Sequence, residues 1–163
     1  RLVSFGALQA APAQAFMVPA LTNSAYLEIN RIRKNLEGMA TAAASEHIIA
    51  DKMRALKSLS EAFHEAKSAG DVTRMLHTNY QFRFQIYTYA EMPTLMAMIE
   101  QLWVRAGPSL HFLYLNSMEP FQHQNVYQPL LDALEKRDST ESYSAICQII
   151  DESTSYLKQQ YRH

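Results

Sequence analysis

Residues 24–46 read SAYLEINRIRKNLEGMATAAASE, and their periodicity decides the fold class. Tyr26, Ile29, Arg33, Leu36, Ala40 and Ala43 recur at intervals of three or four, which places them on one face of an α-helix. Asn23 or Ser24 is the expected N-cap, and the helix is expected to run to about Glu46. The same period continues through nearly all of the chain that follows. Only four glycines occur in 163 residues, and no alternating run rich in Val, Ile and Thr reads as a strand. The expectation is an all-α protein, an antiparallel bundle of about six or seven helices.

The remaining helices are bounded by local signals. A second is expected from about Ile48 to Ala69, ending at Gly70, and a third from an Asp71 cap to about Glu91. Pro93 suits the first turn of a fourth, which is expected to break or kink near Gly107-Pro108 and resume toward Asn116. Another is expected from about Glu119 or Pro120 to Arg137. Asp138-Ser-Thr-Glu141 has the capping-box spacing that opens the last helix. Met92, Met96, Met98 and Trp103 read as core residues of the fourth helix.

Composition narrows the function. The chain is 48% hydrophobic and 19% charged, as in a globular domain, and its formal net charge is -1. A domain that grips nucleic acid by itself carries a basic excess, because phosphate contacts supply most of the non-specific affinity. Cys147 is the only cysteine, so an intrachain disulfide and a Cys-based zinc site are excluded, in keeping with a reducing, cytoplasmic setting. No apolar run approaches the roughly 20 residues that span a bilayer, so no membrane role is expected. Leu2–Phe5 and Ala11-Pro12-Ala13 superficially resemble a signal peptide, but Gly6 interrupts the apolar stretch. The start at Arg1 reads as a fragment whose beginning is missing.

No phosphate loop, nucleophile elbow or zinc signature occurs, so no catalytic residue, cofactor or metal is assigned. Glu61-Ala-Phe-His64 matches the Glu-x-x-His element of di-iron bundles, but it occurs once and without a partner copy. The informative residues are polar ones on apolar faces. Arg33 shares the stripe of the first helix. Asn79 and Arg83, one turn apart, share a stripe with Val72, Leu76, Ile86 and Ala90, and Tyr127 shares one with His123, Leu130, Leu131 and Leu134. A buried arginine needs an anionic partner or access to solvent. Two readings follow. Arg33 and Arg83 lie at the edge of their stripes, snorkelling or paired to Glu; or with Asn79 they face a shared cavity that holds an anion such as a carboxylate.

Several segments in order resemble one family. Arg33-x-x-Leu36-Glu37-Gly38 after Glu28-Ile29, Asn79-x-x-Phe82-Arg83-x-x-Ile86-Tyr87, Leu102-Trp103-x-Arg105-x-Gly107-Pro108 and Leu130-Leu131-Asp132-Ala133-Leu134 with Asp138 resemble the C-terminal domain of FadR-like transcription regulators of the GntR superfamily. Arg1-Leu2-Val3-x-x-Gly6-x-Leu8, then Pro12 and Phe16-x-Val18-Pro19, is similar to the end of a recognition helix and the wing of a winged helix-turn-helix. Gln14-Ala15 stands where that wing usually has Arg-Gly.

The resemblance implies three parts: residues 1–19 as the end of a DNA-binding domain, 20–24 as a linker, and 25–163 as a helical effector-binding and dimerisation domain. It implies a ligand-responsive regulator, a repressor, that acts as a homodimer on operator DNA and is no enzyme. The family commonly holds a divalent metal with one Asp or Asn and three His; the matching positions here are Asn79, Arg83, Tyr127 and Ile149. Arg cannot ligate a metal and Ile has no lone pair. The expectation is therefore no metal, with Arg33, Asn79, Arg83 and Tyr127 binding an acidic small-molecule effector. Trp103, Arg105 and Ile149 are candidates to line the pocket. Two alternatives stand beside this: a dimerisation module without a ligand, in which internal carboxylates satisfy both arginines and no cavity remains, and a metal-dependent helical-bundle enzyme.

Overall fold

The computed structural model describes residues 21–116 and 125–160, and these form six helices: α1 (Asn23–Ser45), α2 (Ala50–Ser68), α3 (Val72–Tyr89), α4 (Pro93–Asn116), α5 (Gln128–Glu135) and α6 (Ser139–Gln160). The expected wing and linker lie outside the described residues except for positions 21–24, as does His123. Among the described residues there is no strand, and no helix is long and apolar enough to cross a membrane.

The ends of the helices follow from local chemistry. Thr22, one residue before the expected cap, accepts a hydrogen bond from the Ala25 amide on its Oγ1 at 3.2 Å. Asp71 and Asp138 cap α3 and α6 by accepting from the amides of Arg74 and Glu141. α2 closes in a Schellman motif: the Asp71 amide reaches the Ala66 carbonyl, the Gly70 amide reaches that of Lys67, and Gly70 takes the left-handed conformation (φ 67°). α5 closes in the same way, with Arg137 at the left-handed position.

Three expectations are corrected. The helix expected from Glu119 or Pro120 is not formed at 125–127, and α5 begins only at Gln128, where Pro129 suits its first turn. α4 runs unbroken through Gly107-Pro108. Proline removes one backbone hydrogen bond, but Trp103, Ala106, Leu110 and Leu113 are buried on both sides of it, and their packing holds the helical course. Met92 and Met98 are exposed and Met96 is half-buried, so of that group only Trp103 belongs to the core.

α1 is the central strut. It packs most extensively on α6 and also touches α3, α4 and α5, while α2 pairs with α3. Its buried face is turned by about one residue from the expected stripe. Leu36 and Ala43 are only half-buried, whereas Asn30, Glu37, Thr41 and Ala44 are inside. The close contact with α6 depends on Gly38, where an added Cβ would lie 2.5 Å from Cε2 of Tyr143. Alanine is the better helix former by about 1 kcal/mol, but here the ring of Tyr143 has to move. Gly38→Ala is therefore expected to lower stability by about 1–3 kcal/mol in urea unfolding. Tyr143→Ala in the same chain is expected to return most of that loss; an undiminished loss in the double variant would place the cost elsewhere.

Candidate functional site

The centre of the site is a residue that the apolar pattern hides. Glu37, on α1, is wholly buried and accepts four hydrogen bonds. Its Oε1 accepts from Nε of Arg33 at 2.7 Å and from Nε1 of Trp103 at 2.8 Å; its Oε2 accepts from Nη2 of Arg83 and from the hydroxyl of Tyr87, each at 2.5 Å. Three helices thus meet on one carboxylate: α1, α3 and α4. The network continues outward through Asn30, which accepts from Nη1 of Arg33 at 3.0 Å and donates to Thr154 of α6 at 2.9 Å. Trp103 also presents its ring to both guanidinium groups, 4.9 Å from Cζ of Arg33 and 5.4 Å from Cζ of Arg83.

Electrostatics follow the geometry. Burial by itself drives the Glu37 carboxyl toward its neutral form. The charges of Arg33 and Arg83, with the hydrogen bonds from Tyr87 and Arg33, outweigh burial and hold its pKa down at about 2, below the usual 4.5. Burial pushes the Tyr87, Tyr114 and Tyr127 hydroxyls above their ordinary value, so all three stay neutral donors.

Beside this network lies a cavity of about 80 Å³ between α2, α3, α4 and α6. Of the residues singled out in the sequence, Arg33, Asn79, Arg83, Tyr127, Trp103 and Ile149 all line it. Arg105 does not. It is half-buried on another face of α4, and its Nε is buried with no hydrogen-bond partner. Tyr127 donates to Oδ1 of Asn79, which joins the start of α5 to α3. Lys67 and Tyr114 also line the cavity without having been singled out. Glu37 was in plain view as the partner of Arg33 one turn on, and Asn30, Arg33, Glu37 and Thr41 form a polar row at helical spacing.

The donor set does not suit a metal. Asn79 Oδ1 is already taken by Tyr127, Arg83 is a cation bound to Glu37 and Tyr87, and Ile149 is apolar. Among the described residues no three His, Cys, Asp or Glu side chains gather. Glu61 is exposed, and His64 shares a 2.7 Å hydrogen bond with Asn125.

With the geometry in place, the comparisons with known proteins decide the family. Residues 28–152 match the model of the FCD domain. The chain belongs to the FCD-domain family. The HTH-type transcriptional regulator McbR of Escherichia coli (strain K12) is 42% identical over 163 residues, covering 99% of this chain and 74% of McbR. The structure of E. coli McbR/YncC superimposes with a TM-score of 0.90 at 40% identity, over 98% of this chain and 81% of that one. A GntR family member from Pseudomonas syringae pv. tomato shares the fold at a TM-score of 0.70 and 18% identity, over 99% of this chain and 67% of that one. This FCD-domain chain is accordingly a transcription regulator of the GntR family, not an enzyme, and its fold is that of the FadR-like helical domain.

Proposed function

We propose that this domain senses a small carboxylate, which it anchors by Arg33, Arg83 and Asn79 without a metal ion. The observation that carries the reading is the kind of polar group left over at the cavity. Arg33 spends Nε and Nη1 on Glu37 and Asn30, and Arg83 spends Nε and Nη2 on Tyr87 and Glu37. Their remaining nitrogens, Nη2 and Nη1, have no partner among the described residues. Asn79 has its oxygen engaged and its Nδ2 to give. The unspent groups of these three residues are all donors, and two belong to guanidinium forks suited to a carboxylate.

Glu37 satisfies part of what the ligand-free alternative requires, since it is the internal partner of both arginines. The cavity is what that alternative does not supply. Protein interiors are close-packed, and a space of this size with arginine and asparagine donors on its wall supports the reading of a binding site.

In the whole regulator, the effector acts by preferring one of two arrangements of the helical domains and so of the winged-helix domains that bind operator DNA. A homodimer in the cytoplasm reading a two-fold operator, with repression as the resting state, completes the proposal.

The test is a thermal-shift screen of small carboxylates and divalent metals, run with and without chelator. A carboxylate at 100 times its dissociation constant stabilises the folded state by about 2.7 kcal/mol and raises Tm by several degrees. Asn79→Ala, Arg83→Lys and Arg83→Ala are expected to abolish that shift. A shift produced by metal alone, and removed by chelator, overturns the proposal.

A further inference from the structure

We infer that the effector is a compact monoanionic acid with an apolar body: a single-ring aryl acid or a short branched-chain acid. This rests on the carboxylate reading above and narrows it by charge, by lining and by size.

Charge comes first. Arg33, Lys67, Arg83 and Glu152 are the charged residues of the cavity wall, and Glu37 lies directly behind the arginines. Glu37 cancels one of the two guanidinium charges. Lys67 and Glu152 carry opposite signs, so they add nothing to the net charge of the wall. A single positive charge remains for the ligand to meet. A monoanion neutralises it, whereas a dianion leaves a negative charge in a poorly solvated space, which is costly.

The lining sets the body of the ligand. Phe63, Leu110, Leu113, Val126, Ile149 and Ile150 make most of the remaining wall apolar, with Lys67, Tyr114, Glu152 and Ser153 as its polar members. The Tyr127 hydroxyl nearby is already committed to Asn79. A hydroxylated acid would turn its hydroxyls toward a largely apolar surface, at a cost of the order of a lost hydrogen bond for each one left unpaired.

Size completes the argument. By the measure in which one water needs about 10–15 Å³, the cavity of about 80 Å³ holds roughly five to eight water-sized groups. Covalently linked atoms pack closer than separate waters, so a carboxylate with one ring or a few branched carbons fits. A long acyl chain exceeds that volume and would have to extend beyond it.

Trp103 is the only tryptophan of the chain and touches both the cavity and Glu37, so its fluorescence reports on occupancy. The experiment titrates the full chain with benzoate, 3-methylbutanoate, succinate, gluconate, dodecanoate and the neutral isostere benzamide, reading Trp103 emission and Tm together. Benzoate or 3-methylbutanoate is expected to bind at least about ten-fold more tightly than succinate, gluconate or dodecanoate, a difference of about 1.4 kcal/mol. Tighter or equal binding of succinate, gluconate or dodecanoate overturns this inference and leaves the arginine-anchored carboxylate reading standing. Benzamide binding as well as benzoate, or no carboxylate binding at all, overturns both. Ile149→Phe reduces the cavity without touching the hydrogen-bond network. It is expected to weaken benzoate at least about ten-fold in a chain that still melts cooperatively; unchanged affinity overturns the inference.

Discussion

Replacing Glu37 with alanine is expected to lower the free energy of unfolding by about 3–5 kcal/mol, because it strands two buried guanidinium groups around an empty site. Arg33 and Arg83 are each 3% exposed, so solvent reaches them poorly, and Trp103 and Tyr87 lose their acceptor at the same time. A loss of that size is a large share of the 5–15 kcal/mol that keeps a domain folded. Urea unfolding measures it, and a change below about 1 kcal/mol would mean that the arginines find other partners.

The triple replacement Arg33→Met, Glu37→Leu and Arg83→Met makes the sharper comparison. Removing a whole buried ionic cluster is often neutral or stabilising, so this variant is expected to be more stable than Glu37→Ala, with a residual cost from the Tyr87 and Trp103 donors that lose their acceptor, and blind to carboxylates. That outcome would show that the cluster is retained for recognition rather than for stability.

The same carboxylate predicts an acid limb. The folded-state pKa of Glu37 is depressed to about 2 from 4.5, so its contribution to stability is fully present above the unfolded value and disappears as pH falls toward 2. The shift corresponds to a contribution on the order of 3 kcal/mol, and its loss is expected between about pH 5 and pH 2. Unfolding measured across that range checks it. In the triple variant the Glu37 component of this slope is expected to be absent.

Phe82→Ala carries an expected loss of similar size, about 3–5 kcal/mol, by a different route. Phe82 is 0% exposed and stacks on Tyr127 with ring centroids 4.2 Å apart and planes 27° from parallel. It sits on α3 between Asn79 and Arg83, so it supports the aromatic side chain that holds Asn79 in its donor-out orientation. Truncation removes core area and leaves a void beside Tyr127, which lines the cavity. Two measurements separate these effects. Urea unfolding reads the stability loss, and the size preference among aryl acids reads the enlarged site, with bulkier acids gaining relative to benzoate. If stability falls while size preference does not change, the ring has a packing role alone. Phe82→Leu keeps most of the apolar volume and is expected to cost about 1 kcal/mol.

What the linear chain settles by itself is what depends on near neighbours. Helical period, the caps at Asp71 and Asp138, the left-handed Gly70 and the proline at the start of α4 are all decided within a few residues, and so the all-α bundle and most of its helix ends are legible. The same holds for the short list of polar residues on inward faces, four of which (Arg33, Asn79, Arg83 and Tyr127) line one cavity.

Local pattern fails where an outcome depends on packing between distant segments. An amphipathic stripe is uncertain by about one residue in phase, and on α1 that phase difference exchanges Leu36 for Glu37 in the interior. Near Pro108, a breaker was overridden by the burial of the helix on either side. For Met92 and Met98, hydrophobicity gave no information on which face would be covered.

Only the tertiary structure decides the pairing on which the site rests. Glu37 and Arg83 are 46 positions apart, and Glu37 and Trp103 are 66 apart. No spacing rule joins residues at such separations. They meet because α1 runs through the centre of the bundle, and a carboxylate buried there is tolerable only where two arginines, a tyrosine and a tryptophan converge on it from α1, α3 and α4.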